Sequence, residues 1–156
     1  VFNLHIERDG FLMEASVHVD SFLGAGHYMT TDETLSADGV INAFTRTRSV
    51  TWFGGFTGGV QVLMVDDNGV VIGTTSQRRY GVDGTKIGRS DRTEQWNETI
   101  DPSIFNRTVK LAVIHAWTPK VSIAQIIAVA IDAGRTIWEL LEELNKKGGC
   151  QGGVSY

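Results

Sequence analysis

Cysteine is nearly absent: the 156 residues include one, Cys150. A lone thiol cannot close an internal disulfide, so it is left to pair between chains or to stay as an inert free thiol in a Gly-rich tail. The fold must then rest on its core. A single domain of this length can manage that, because it buries roughly 70% of the surface its unfolded chain exposes. Proline is almost as scarce, with Pro102 and Pro119 alone. Long apolar runs are missing too. The longest is Ile126 to Ile131, far short of the roughly 20 residues that span a bilayer. An excess of positive charge is also lacking. The formal net charge is −4, and neutralising a phosphate backbone needs a broad basic surface, so nucleic acid is not the expected partner.

Motifs that carry a mechanism are likewise absent. There is no Walker loop, dinucleotide glycine fingerprint, H-E-x-x-H, C-x-x-C or G-x-S-x-G. The histidines at 5, 18, 27 and 115 show no metal-ligand spacing, so no zinc and no cofactor are expected. Asp66, Asp67 and Asn68 lack the alternating oxygens and closing Glu of a calcium loop and read as a hairpin tip. No secretory signal pattern opens the chain. It begins at Val1 rather than Met, so an upstream piece is expected to have been removed. Sequons at Asn97 and Asn106 tilt the expected compartment weakly toward secretion.

What is present is turn chemistry and alternation. With 42% hydrophobic and 21% charged residues, composition is that of an ordinary globular domain. Asp9-Gly10 is a favoured hairpin pair. Centring a turn there sets Ile6 against Met13, Leu4 against Ala15 and Phe2 against Val17, all on one face. The other face holds Asn3, His5, Glu7, Glu14, Ser16 and His18. Residues 20–39 read as loop or short strand ending in a turn at Asp38-Gly39. A long strand then runs from Val40 to Phe53, with Arg46, Arg48, Val50 and Trp52 on one face and Thr45, Thr47, Ser49 and Thr51 on the other. The glycines at 54, 55, 58 and 59 break that strand, and Val60 to Val65 reads as buried. Asn68-Gly69 predicts a hairpin pairing Val65 with Ile72 and Leu63 with Thr74. Asp83-Gly84 predicts another, setting Tyr80 against Ile87 and Arg78 against Arg89. Residues 88–106 read as polar loop, and Val109 to Trp117 as the last strand.

One long helix is expected over 122–147. Ser122 and Gln125 fit a capping box, apolar residues recur from Ile123 through Leu144, and Lys146, Lys147 and Gly148 suit a C-terminus. The expected architecture is mainly β (α+β), an antiparallel β-sandwich or small barrel closed by that C-terminal helix. It forms one domain over 1–148, β-rich to 117, with a flexible tail at 149–156.

Three segments could carry function. Arg78, Arg79, Arg89 and Arg92, with Tyr80 among them, could hold an anion through paired guanidinium hydrogen bonds. Trp52 and Phe56, on a Gly-rich stretch, could form a platform for a sugar's C–H face. The helix is apolar nearly all round in its first half and could bury that surface in a homo-oligomer, with membrane insertion ranked behind. The leading expectation is a non-catalytic, lectin-like binding module for a carbohydrate or small anionic ligand, using Trp52, Phe56, Arg78, Arg79, Tyr80, Arg89 and Arg92. Next comes a self-assembling or membrane-active protein working through the helix. Last is a small hydrolase-like enzyme built on a His5–Glu14 pair.

Overall fold

The computed structural model describes residues 2–6, 13–118, 122–147 and 150–154. In chain order the elements are β1 (Phe2–Ile6), β2 (Met13–Phe22), β3 (His27–Leu35), β4 (Val40–Ser49), β5 (Phe56–Val65), β6 (Val71–Thr74), β7 (Arg78–Val82), β8 (Asp91–Thr99), α1 (Pro102–Phe105), β9 (Lys110–Thr118), α2 (Ile123–Asp132), α3 (Ile137–Lys147) and β10 (Cys150–Val154). Two antiparallel sheets face each other. The first has strand order β1-β2-β3-β4-β8, the second β10-β9-β5-β6, with β7 also on β5. The two C-terminal helices cover the outer face of the second sheet. The fold is therefore a β-sandwich with a helical third layer.

This layering explains why β5 and β9 are buried along almost their whole length. Side chains alternate across a strand, so a sheet covered on both faces must be apolar on both. Val60, Val62, Met64, Leu111 and Val113 point into the core between the sheets. Leu63, Val65, Ala112, Ile114 and Ala116 join a second core with Ile123, Ile127, Ile137, Leu140 and Leu144 of the helices. The first sheet has one covered face only. There the pattern is strict, and β3 alternates inward and outward from His27 to Leu35.

The β1–β2 register is the one expected, with Phe2 opposite Val17, Leu4 opposite Ala15 and His5 opposite Glu14. The Asp9-Gly10 turn itself lies outside the described residues. The Asp38-Gly39 turn forms, closed by Gly39 N–H to Ser36 O at 3.0 Å. At the next hairpin Leu63 pairs with Thr74 as expected, but a bulge sets Val65 against Val71 instead of Ile72. The Asp66 carboxylate accepts from the N–H groups of Asn68 and Val70 at 2.9 Å each. That bonding is a turn's own closure.

Five expectations are corrected. Residues 20–22 and 27–35 are strand, joined by a short turn, because β2 and β3 pair along their length from Ala15↔Leu35 to Phe22↔Tyr28. The strand from Val40 stops at Ser49, and the glycine stretch does not interrupt β5, which starts at Phe56 and runs through Gly58 and Gly59. Asp83-Gly84 closes no hairpin. β7 pairs with β5, the chain then crosses to the other sheet, and residues 91–99 pair with β4 as β8. Arg78 thus lies opposite Val60, not Arg89. The C-terminal helix is two helices, since Gly134 at φ +65° ends the first. A left-handed residue there lets Val70 bridge Thr136 and Ile137 N–H bond Gly69 O at 2.8 Å, so α3 starts on the β5–β6 turn. Ser122 stands at the N-cap without a side-chain bond. Finally, residues 150–154 of the expected tail form β10 on β9, with Cys150 opposite Ala116 and buried.

Candidate functional site

The open face of the first sheet is where polar side chains gather, and strand register lays them in rows. Phe22 (β2), Tyr28 (β3), Arg48 (β4) and Asp91 (β8) are successive cross-strand neighbours. The next outward row is Asp20, Thr30, Arg46 and Thr93. The one after is His18, Asp32, Phe44 and Gln95. Across strands such neighbours sit close enough to interact directly. Phe22 and Phe44 are half exposed, at 48% and 51%.

The rows are internally bonded. His18 sits between two carboxylates, with Nδ1 on Asp32 and Nε2 on Asp20 at 2.9 Å. These bonds, Asp32's first, raise the imidazole's pKa above its ordinary value. With a carboxylate on each ring nitrogen, the geometry favours the form in which both nitrogens donate. The Thr30 hydroxyl donates to Asp20 at 2.6 Å, and with His18 it lowers that carboxyl's pKa. Arg46 reaches diagonally to Asp91 through Nε at 2.9 Å and Nη2 at 2.5 Å. The paired bonds lower the acid's pKa and raise the base's. Arg48 lies over the Tyr28 ring, 4.9 Å from its centroid, and Tyr28 packs on Phe22 at 5.0 Å. Between these groups runs a trough of about 460 Å³, lined by Asp20, Phe22, Tyr28, Thr30, Arg46, Arg48 and Gln151. Gln151 arrives from β10, and its side-chain oxygen accepts from the Phe22 N–H at 2.9 Å.

Directly beneath this face lies a buried polar chain. Thr31 and Thr45 point inward from β3 and β4, and His115 points at them from β9. Its Nε2 is 2.7 Å from the Thr31 hydroxyl and its Nδ1 is 2.7 Å from that of Ser21. Thr31 and Thr45 are 3.0 Å apart, and the Trp96 indole donates to Thr45 at 3.0 Å. Full burial pushes the His115 pKa down to about 3, so the ring is neutral at physiological pH. Glu33, also inward on β3, has no hydrogen-bond partner for either oxygen. Burial pushes it up to about 8.

The residues singled out from sequence do not form one site, although Arg92 packs on Tyr80. Phe56 is no platform. It is buried and stacks on the His27 ring at 4.1 Å inside the sandwich, since the strand that begins there faces the core. Trp52 is exposed, with Lys86 Nζ 5.8 Å from its ring. Arg78 closes one edge of the sandwich, bonding Glu98 at 3.2 Å and Asn97 O at 3.1 Å and lying over Trp96. Arg92 bonds Glu94 at 2.9 Å and packs on Tyr80. Arg79 bonds Gln77, and Arg89 bonds the Asp91 carbonyl. The backbone register sets His5 opposite Glu14. The sequence does mark the open face in part, because Arg46 and Arg48 alternate with threonines and His18 alternates with valines. The pairing of β4 with β8, which brings in Asp91, has no local signal.

Among the described residues no three His, Cys, Asp or Glu side chains are placed to hold a metal ion, and no helix is long and apolar enough to cross a membrane. No family model matches the chain, and no curated protein does. A solved structure, a GH3 beta-glucosidase from Bifidobacterium adolescentis, is similar at 12% identity with a TM-score of 0.28, over 71% of this chain. The match covers only 16% of that enzyme, a likeness too slight to assign fold or activity.

Proposed function

We propose that the protein is a non-catalytic, lectin-like binding module, and that its ligand is a carbohydrate or a small anionic group taken on the open face of the first sheet. The observation that carries this reading is the trough itself. It pairs two aromatic rings, Phe22 half exposed and Tyr28 partly buried, with a dense, pre-bonded set of donors and acceptors. Rings offer apolar faces to a sugar's C–H surface. Asp20, Arg46 and Gln151 offer both signs of hydrogen bond to hydroxyl groups. Because Asp91 neutralises Arg46, the cation left for an anionic substituent is Arg48, stacked on Tyr28. The side chains are held in place before any ligand arrives, which lowers the ordering cost of binding.

The test is a glycan array with labelled protein at low and moderate salt, followed by calorimetry on the best hit. A Phe22→Ala, Tyr28→Ala double variant should lose at least tenfold in affinity. Hits that survive this substitution unchanged, or the absence of any hit, would refute the proposal.

A further inference from the structure

One end of the sandwich is closed by two loops that cross between the sheets. Residues 50–55 lead from β4 to β5, and residues 83–90 lead from β7 to β8. They lie at the same end, because Ser49 and Phe56 begin or end strands there, as do Val82, opposite Phe56, and Asp91, opposite Arg48. The loops are tied into one tip. Thr85 N–H bonds Thr51 O and Lys86 N–H bonds Trp52 O, each at 2.8 Å. The Ser49 hydroxyl holds Gly54 O at 2.6 Å, and Val50 N–H holds Gly26 O at 3.0 Å. On this fixed tip stand Trp52 at 65% exposure, Phe53 at 71% and Ile87 at 63%, with Val50 beside them. Trp52, Phe53 and Ile87 are the most exposed large apolar side chains among the described residues. A soluble surface rarely concentrates such groups without a partner.

Charge says what kind. The chain is acidic overall, at net −4, yet the tip carries Lys86 and Arg89 against Asp83. Arg48 adds to them at the adjoining strand end. Among the described residues none of these three cations makes an ion pair, while the adjacent Asp91 is committed to Arg46. An exposed apolar crown flanked by Lys86 and Arg89, on a chain that is acidic overall, complements an anionic lipid surface. Trp and Phe partition to the boundary between headgroups and acyl chains, and basic side chains pair with the headgroup phosphates. We infer that this tip docks on anionic bilayers, with Trp52, Phe53 and Ile87 entering the interface and Lys86 and Arg89 contacting headgroups. The trough on the open sheet face is left free for its own ligand.

The experiment is vesicle co-sedimentation of the full chain with phosphatidylcholine alone and with phosphatidylcholine and phosphatidylserine in about a 7:3 ratio. Binding should be strong to the second and weak to the first. A Trp52→Ser, Phe53→Ser double variant should lose more than tenfold. A Lys86→Gln, Arg89→Gln double variant should lose about fivefold per charge removed. Phe22→Ala with Tyr28→Ala, which should lose the trough's own ligand, should leave vesicle sedimentation at the wild-type level. Thermal melts of the two tip variants should match the wild type, because those side chains are exposed. Two results overturn the inference: no sedimentation with either vesicle, or sedimentation that the tip substitutions leave intact.

Discussion

Replacing Glu33 with Gln should make the protein more stable at alkaline pH while leaving it almost unchanged in mild acid. Glu33 is 2% exposed between Val17 and Ala43 of the neighbouring strands, with both oxygens unpartnered. Its folded pKa of about 8 lies above the ordinary 4.5, a gap of about 3.5 pH units. Between those values the folded state keeps a proton that the unfolded chain has released. The contribution of Glu33 to stability must therefore fall as pH rises from about 4.5 to about 8, by on the order of 5 kcal/mol. His115 acts in the opposite sense. Its folded value of about 3 lies below 6.5, so stability falls as pH drops from 6.5 toward 3. Each group exchanges one proton with opposite sign, so the two slopes cancel between about 4.5 and 6.5, and a plateau of maximal stability should sit there. Urea unfolding of wild type and Glu33→Gln at pH 5, 7 and 9 measures this. The wild type should lose about 2 kcal/mol between pH 5 and 9, and the variant, left with the His115 slope alone, should gain about 2 kcal/mol over the same range. Equal losses in both proteins, or no loss in the wild type above pH 6.5, would refute the account.

Thr31→Val should cost about 1–3 kcal/mol, because it strips His115 Nε2 of its buried partner and breaks the chain to Thr45 and Trp96; the urea midpoint reads it. Gly152→Val should cost a further order of 1–3 kcal/mol. A Cβ at that position would lie 2.5 Å from Ile114 Cδ1 and 2.8 Å from Leu141 Cδ2, where β10 passes beneath α3. The Cys150 thiol, buried and pushed up to about 12, should resist thiol reagents in the wild type and react in that variant. Arg46→Ala should weaken ligand binding on the open face by calorimetry. Its thermal stability should stay within about 0.5 kcal/mol, because the ion pair to Asp91 is half exposed.

Local chemistry made much of the fold legible. Alternation and a two-residue turn fixed the β1–β2 register, Asn68-Gly69 marked a hairpin, and the apolar spacing after Ser122 marked helix. Each of these depends on neighbours in sequence. Which strands pair over long distances does not, and there the reading went astray. Asp83-Gly84 looks like a hairpin tip, but β7 gains more by lying against β5, whose other edge is held by β9. The polar stretch 91–99 looks like loop because one face of β8 stays in water while Trp96 alone anchors the other deeply. β10 is too short and Gly-rich to announce itself, and only the close fit under α3 calls for its glycine. By itself, then, the sequence determined a mainly β fold, a sandwich or small barrel, with C-terminal helix and the β1–β2 register, because those follow from periodicity and turn residues. Tertiary structure alone decided the site. The trough joins residues from β2, β3, β4 and β10, with Asp91 of β8 holding Arg46, and only non-local strand pairing places them side by side.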